Sequence, residues 1–424
     1  MKFLNLNKRE KRSFIIIIIS TFFYGFFLSM IKTRTIIARK ALLATDWQLS
    51  LLVMIFPVTN FISIWWGKIL ETTRNKSKFF LYISIFGRLL LIAGLWISNM
   101  NQFLILLFII FFFHSSYIPA RNSLFQTNFR RQNRGRLFGI TLSLATLISM
   151  IISYFAGRFL DLNENYFKYF LFAVGILGFI NSFLLYFVRI RDNSKLYKKA
   201  KLSFHSIFIS PLKRSAQILK KNWQFARFEL SFILYGMGFI MMMVAVPIYL
   251  VDVLKLSYTT SFLAKVVVAQ FGVFLLSPFM GKLHDRWHPN MYNVFSFGLL
   301  ILYPVFFIIS TFFSGSSIQV YIVFFGFLVF GIARATVSIA WNMGSVYFAG
   351  DEDSSMYQSI HVTFTGIRGV LAPLFGLLIK KLFGLNSMFY VSMMFFIAAS
   401  IQSFFAYKKG KNITNRSSSQ STKR

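Results

Sequence analysis

The sequence predicts an all-α integral membrane protein with 12 transmembrane helices in two six-helix bundles. Three observations lead there. The 424 residues are 56% hydrophobic and 14% charged, with a mean hydropathy of +0.62, more apolar surface than a water-soluble core can bury. Apolar runs of about 20 residues, enough to cross the hydrocarbon of a bilayer, recur along the whole chain. Short stretches also repeat half a chain apart in the same order.

Apolar spans are expected near 14–33, 47–66, 79–98, 103–123, 137–157, 166–188, 229–251, 261–280, 291–313, 318–340, 357–379 and 387–407. The first follows a basic start with no small-residue cleavage site, so it reads as a retained helix. An even number of spans puts both termini on one side. If that side is cytoplasmic, 33 of the 46 Lys and Arg fall in inside segments and 9 in outside ones, which fits the positive-inside rule. The net charge of +34 then belongs to loops facing anionic lipid headgroups, and the partners expected are the bilayer and a small-molecule substrate, with no nucleic acid. A monomer in a bacterial inner membrane is expected. The partition is a first bundle over 1–190, a cytoplasmic linker over 191–227, a second bundle over 228–407 and a basic tail over 408–424. Within the linker, Ser210-Pro211 starts a helix. Leu212, Ala216, Leu219, Trp223 and Ala226 recur at helical spacing against Lys213, Arg214, Lys220 and Lys221, as in a helix lying on a membrane surface.

The repeat is carried by three pairs. Gly67 to Lys76 (GKILETTRNK) matches Gly281 to Asn290 (GKLHDRWHPN); Tyr24-Gly25 matches Tyr235-Gly236; Ala120-Arg121 matches Ala333-Arg334. The offsets of 211 to 214 link spans one to four with spans seven to ten. Parallel repeats of this kind occur in secondary transporters.

With these motifs the chain resembles the major facilitator superfamily over essentially its whole length. That family's signature after its second helix is G-x-x-x-D-R-x-G-R-R, repeated weakly after the eighth. The second copy here, Gly281-Lys-Leu-His-Asp285-Arg286, keeps more of it; in the first, Glu71 replaces the Asp and Thr72 the Arg. The resemblance implies gating roles for Gly67, Glu71, Gly281, Asp285 and Arg286, with the acid helping to lock one of two alternating states. Glycine allows close helix approach, and a carboxylate favours a helix N-terminus. The fifth span lacks the Gly-x-x-x-Gly-Pro pattern of drug–proton antiporters, although Ala145, Ser149, Ser153 and Gly157 form a small-residue stripe. The fourth span lacks R-x-x-Q-G.

Four basic residues fall inside the spans: Arg88, Lys265, Arg334 and Arg368. Each costs roughly 2.5–3.5 kcal/mol at mid-bilayer. Lys265 lies near an end and can snorkel. No Asp or Glu is expected in the central part of any span, so the arginines need carbonyls, water or an arriving anion. Gln358, His361, Thr365 and Arg368 make one polar stripe; Arg334, Ser338, Trp341, Asn342 and Ser345 make another; His114, Tyr117 and Arg121 share a face. The substrate-binding set expected is Arg88, His114, Tyr24, Tyr235, Arg334, Asn342, His361, Thr365 and Arg368. His114 and His361 are the candidates for any proton coupling.

No enzyme chemistry is legible. The chain has no cysteine, no phosphate-binding or dinucleotide loop and no metal-ligand spacing, so neither cofactor nor metal is expected. The reading is a secondary active transporter of a small solute, a small organic anion, working by alternating access. Efflux of lipophilic or amphiphilic drugs and a non-transporting receptor or scaffold are the alternatives.

Overall fold

A computed structural model describes residues 6–73, 75–188, 210–349 and 354–421. The described residues are helical, with no strand among them. The helices are α1 (Lys8–Lys40), α2 (Asp46–Thr72), α3 (Lys78–Phe86), α4 (Met100–His114), α5 (Tyr117–Asn128), α6 (Arg131–Leu162), α7 (Phe167–Tyr186), α8 (Ser210–Lys221), α9 (Trp223–Ile248), α10 (Tyr258–Phe262), α11 (Ala269–Arg286), α12 (Pro289–Thr311), α13 (Ser317–Tyr347), α14 (Ser354–Phe383) and α15 (Leu385–Ser421). Among the described residues 11 helical segments are long and apolar enough to cross a membrane, and the shorter apolar Asp46–Ile62 in α2 makes the twelfth span.

Local chemistry sets the helix starts. Asn7 and Glu10 form a reciprocal capping box at α1, and Thr45 and Gln48 form another at α2, each satisfying backbone donors that a helix start leaves open. Two spans expected to be continuous are broken. The third runs as α3, then a break at Gly87-Arg88, then a 3-10 helix over Leu89–Trp96. The fourth breaks at Ser115-Ser116 between α4 and α5. Single π-helical turns, Tyr249–Val253 and Leu263–Val268, stand on either side of α10. Breaks and π-turns inside membrane helices mark functional or flexible points.

The chain forms two compact units. One contains residues 1–203 with 250–267, the other 204–249 with 268–424. A core of aromatic and aliphatic side chains fills each: Phe14, Phe80, Tyr117, Leu124 and Phe129 in the first, Phe228, Phe232, Tyr235, Phe297 and Phe396 in the second. This division differs from the sequence-based partition at residues 250–267, and the reason is a set of contacts with α1 and α6. Asp161 caps α10, accepting from the Tyr258 and Thr259 amides at 2.6 and 2.9 Å. Arg39 Nε donates to both carboxylate oxygens of Asp252 at 3.0 Å, and Lys40 Nζ donates to the Leu256 carbonyl at 3.2 Å. At Gly157 an added Cβ would lie 2.7 Å from the Thr259 Cα, so only glycine lets α6 and α10 approach this closely. The small-residue stripe of α6 is therefore used in packing: Ser153 bonds Ser29 at 2.8 Å and Ser149 accepts from Lys32 at 3.0 Å.

Four expectations change. The segment between the first two expected spans shrinks, because α1 runs to Lys40 and carries Lys32 and a buried Arg34 within it. Lys265 does not snorkel; its ammonium bonds Thr35. The tail beyond 407 continues α15 as helix to Ser421. The expected linker helix is divided: α8 covers Ser210–Lys221, with Lys213, Ala216, Lys220 and Lys221 exposed and Ile218 and Leu219 packed on the core of the second unit, while Trp223 and Ala226 belong to α9.

Candidate functional site

In the first unit the predicted residues Tyr24, Arg88 and His114 come together. Arg88 stands at the break of the third span, fully buried, and donates to the Gly87 carbonyl that the break exposes, at 3.0 Å. Its other terminal nitrogen lies 2.9 Å from His114 Nδ1. An arginine has no acceptor, so this ring nitrogen receives the bond and His114 is neutral with its proton on Nε2. The guanidinium carbon lies 3.4 Å from the Phe27 ring centroid and 5.5 Å from that of Tyr117, a cation–π shelf in a dry interior. Tyr24 stacks on Tyr117 at 5.3 Å. Arg121 turns aside to Thr141 at 2.6 Å and the Phe138 face at 4.7 Å. Arg88 is thus enclosed, with only its Nε unpartnered.

In the second unit Tyr235, Arg334, His361, Thr365 and Arg368 converge from α9, α13 and α14. Arg368 is buried; it donates to the Phe232 carbonyl and, at 2.9 Å, to the Thr365 hydroxyl. Its guanidinium stands 5.5 Å from the Tyr235 ring. Gly236 supplies the space, since a Cβ there would collide with the Arg368 side chain. Arg334 is half-buried over the Phe239 ring at 5.3 Å and acts electrostatically on Tyr235. The two predicted stripes interlock through Trp341, whose indole donates to Thr365 at 3.3 Å, and through a Ser345–Gln358 bond. Asn342 is exposed and donates to the Ser338 carbonyl of its own helix.

One buried group was missed, an acid near the start of the seventh span and outside the central parts in which none was expected. Glu229 is buried, with His361 Nδ1 at 3.0 and 3.1 Å from its two oxygens. The seventh span was begun at residue 229, whereas α9 starts at Trp223 and carries Glu229 nearly two turns inside. The available signal was Asn222, a strong N-cap residue whose side chain accepts from the Phe225 amide.

Of the predicted gating residues, Gly67 and Glu71 lie near the C-terminal end of α2, and Asp285 lies at that of α11 instead of at a helix N-terminus. The side chains of Glu71 and Asp285 and the surroundings of Gly67 lie outside what is described. Arg286 is exposed. A Cβ at Gly281 would have only Ile339 at 4.0 Å, so close helix approach is not its role in this conformation.

This geometry is two bundles of apolar helices, each with aromatic-shelved arginines at depth. A sequence profile of the Major Facilitator Superfamily matches residues 13–349. The chain belongs to that superfamily. It is accordingly a multi-pass membrane transporter of small solutes and not an enzyme. Among solved structures, a point mutant of the nucleoside transporter NupG superposes with a TM-score of 0.73 at 14% identity, covering 92% of this chain and 98% of that one. A bacterial homologue of the human lysosomal transporter Spinster, inward-facing and unoccupied, gives 0.65 at 13% identity over 95% and 98%. Its occupied form gives 0.63 at 14% over 95% and 98%. At such identities the likeness shows the fold. A search of curated protein sequences finds no match.

Proposed function

We propose that this transporter moves a small organic anion across the bacterial inner membrane by alternating access, with both termini cytoplasmic. It acts as a monomer, with no nucleic-acid partner. The observation that carries the anion reading is the charge inventory around Tyr235. Arg368 and Arg334 flank it, while the acid nearby, Glu229, is already bonded to His361. A carboxylate or phosphate entering here meets planar guanidinium forks that bind it through paired hydrogen bonds. Tyr235, Thr365 and Trp341 orient these groups. Arg88 and His114 hold the broken third and fourth spans of the first unit together, with Tyr24 stacked alongside. Gly67, Glu71, Gly281, Asp285 and Arg286 serve the conformational cycle.

A second reading has its own observation. Phe239 and Phe330 stack at 6.1 Å beside Arg334, and Tyr303 continues the stack at 4.3 Å, flat faces that suit an aromatic ring on the solute. An uncharged nucleoside of the kind NupG is named for would use them. Thermal shift of the purified protein decides between these. Stabilisation by succinate, benzoate or glucose 6-phosphate supports the anion; stabilisation by uridine alone, or by tetraphenylphosphonium, overturns it.

A further inference from the structure

A basic notch lies at the end of the second unit where α9 begins and α15 leaves its apolar stretch. Trp223 and Arg227 of α9 and Gln402, Phe405, Ala406 and Lys409 of α15 line a cavity of about 90 Å³. That is the liquid volume of about three waters, far below the roughly 300–1,000 Å³ of a site that encloses a whole small molecule. A single ionic group is what fits. Arg227 Nη1 donates to Gln402 Oε1 across a long 3.4 Å. This bond fixes the amide, so its Nε2 is the other edge, buried and without an acceptor among the described residues. Arg227 and Lys409 rest on the Trp223 ring, at 5.6 and 4.7 Å. α8, α9 and α15 carry one acid between them, Glu229, and it is bonded to His361. Basic side chains over a Trp are common at a membrane surface. A buried amide donor with no acceptor is not, and it calls for an oxygen seated in the notch. Two cations beside it make that oxygen an anion's.

The surroundings of the notch decide what carries the anion. Toward the middle of the spans, α9 exposes Leu230 one turn from Arg227, and α15 exposes Met394, Ile401 and Phe405 along one face. These form an apolar strip that starts at the cavity wall. Toward the helix ends stand the exposed Lys220, Lys221, Lys408 and Lys411, which attract anionic headgroups. We propose that the notch binds the phosphate of an acidic phospholipid, with an acyl chain laid along Leu230, Ile401 and Phe405. The phosphate oxygens accept from Arg227, Lys409 and Gln402 Nε2, and the lipid bridges α9 to α15. A free phosphate satisfies the same donors; the apolar strip is what favours a lipid. A zwitterionic headgroup fits worse, because its ammonium meets two cations and no carboxylate. The assignment does not depend on which solute is carried.

Full-length protein in a neutral detergent is titrated with phosphatidylglycerol, phosphatidylcholine and inorganic phosphate. Native mass spectrometry counts bound lipid, and melting curves report stabilisation. The expected result is a phosphatidylglycerol held in preference to phosphatidylcholine, with a raised melting temperature. Arg227→Gln combined with Lys409→Gln removes two charged donors and should weaken phosphatidylglycerol binding about 30-fold. Lys408→Gln combined with Lys411→Gln removes as much charge from exposed positions outside the cavity and should change binding by no more than about threefold. Equal losses in the two double variants would make the attraction a general surface charge, and the site falls. Equal binding of the two lipids overturns the proposal, and so does stabilisation by inorganic phosphate that matches phosphatidylglycerol, which assigns the notch to a free anion. Phosphatidylglycerol with a photoreactive acyl chain tests the parent without any variant. Its crosslinks should fall on Leu230, Ile401, Phe404 or Phe405, and crosslinks confined to other helices overturn the proposal.

Discussion

Gly236→Ala tests the seat of Arg368 without altering any charge. A Cβ built on Gly236 would fall 2.9 Å from Arg368 Cζ and closer still to Cδ and Nε. The colliding atoms belong to a long side chain, so the helix backbone can stay while the guanidinium leaves. Leaving costs it the Phe232 carbonyl and the Thr365 hydroxyl. Hydrogen bonds to a charged group contribute about 1.5–3 kcal/mol in water-soluble proteins, and bonds between membrane helices average about 0.6. A net loss of about 2 kcal/mol is therefore reasonable, which is roughly 30-fold in Kd for an anion held by that fork. The repeat supplies the control. Gly25 is the matching glycine of α1, and a Cβ there would meet Ile148 and no arginine. Overpacking of this sort costs about 1–3 kcal/mol of stability. Gly25→Ala should lower the melting temperature by a few degrees and leave anion affinity intact; Gly236→Ala should lower the melting temperature and weaken anion binding as well. Calorimetric Kd values for succinate together with melting curves in detergent read both. Equal affinity in the two folded variants would refute the role given to Arg368.

The other predictions are more direct. Arg368→Lys keeps the charge but loses the fork, so anion binding should weaken, while Arg368→Ala should nearly abolish it; two variants binding like the parent would make Arg368 structural. Gly157→Val must part α6 from α10, because Thr259 Cα would lie 2.7 Å from the new Cβ. Spin labels on the exposed Leu162 and Val253 should then report longer distances, and an unchanged distribution would count against the clasp at Asp161 and Asp252. Asp285→Asn should slow transport into proteoliposomes and leave equilibrium affinity within a few fold; loss of binding in a folded variant would move Asp285 into the binding site.

Much of this architecture was legible because a bilayer enforces it. A span must be apolar along about 20 residues, and that pattern survives in one sequence without alignment. The repeat was legible for a related reason: Tyr24-Gly25 and Tyr235-Gly236 are contact residues whose neighbours restrict them in both units. What hydropathy could not show was where the spans break. Arg88 was read as a charge within a continuous helix, whereas it ends one and bonds the carbonyl freed there. Hydropathy reports the solvent a segment prefers and carries no term for the hydrogen-bonding register of its backbone. Glu229 was missed by a boundary error of a few residues, the scale at which such readings fail. Arg34 was missed in the same way, having been counted in a loop that α1 replaces.

The two units also differ in a manner the repeat itself exposes. Each sets the tyrosine of its first helix near the arginine of its fourth, Tyr24 with Arg121 and Tyr235 with Arg334. Each adds a second, buried arginine near that tyrosine, but from helices that do not correspond: Arg88 from the third span, Arg368 from the eleventh. Their surroundings differ in kind. Arg88 is closed in by a carbonyl, a neutral imidazole and two ring faces, an arrangement that satisfies a cation without a counter-charge. Arg368 lies within the field of a buried carboxylate whose imidazole partner has a buried Nε2 with no hydrogen-bond partner. A shell of dipoles and ring faces is fixed by packing and responds little to what arrives, whereas a cluster of separate ionisable groups can redistribute charge when an ion joins it. The duplicated tyrosine–arginine pair is therefore common to both units, and the unmatched second arginine is where their surroundings part: dipoles and ring faces around Arg88, a nearby ionisable acid–imidazole pair around Arg368.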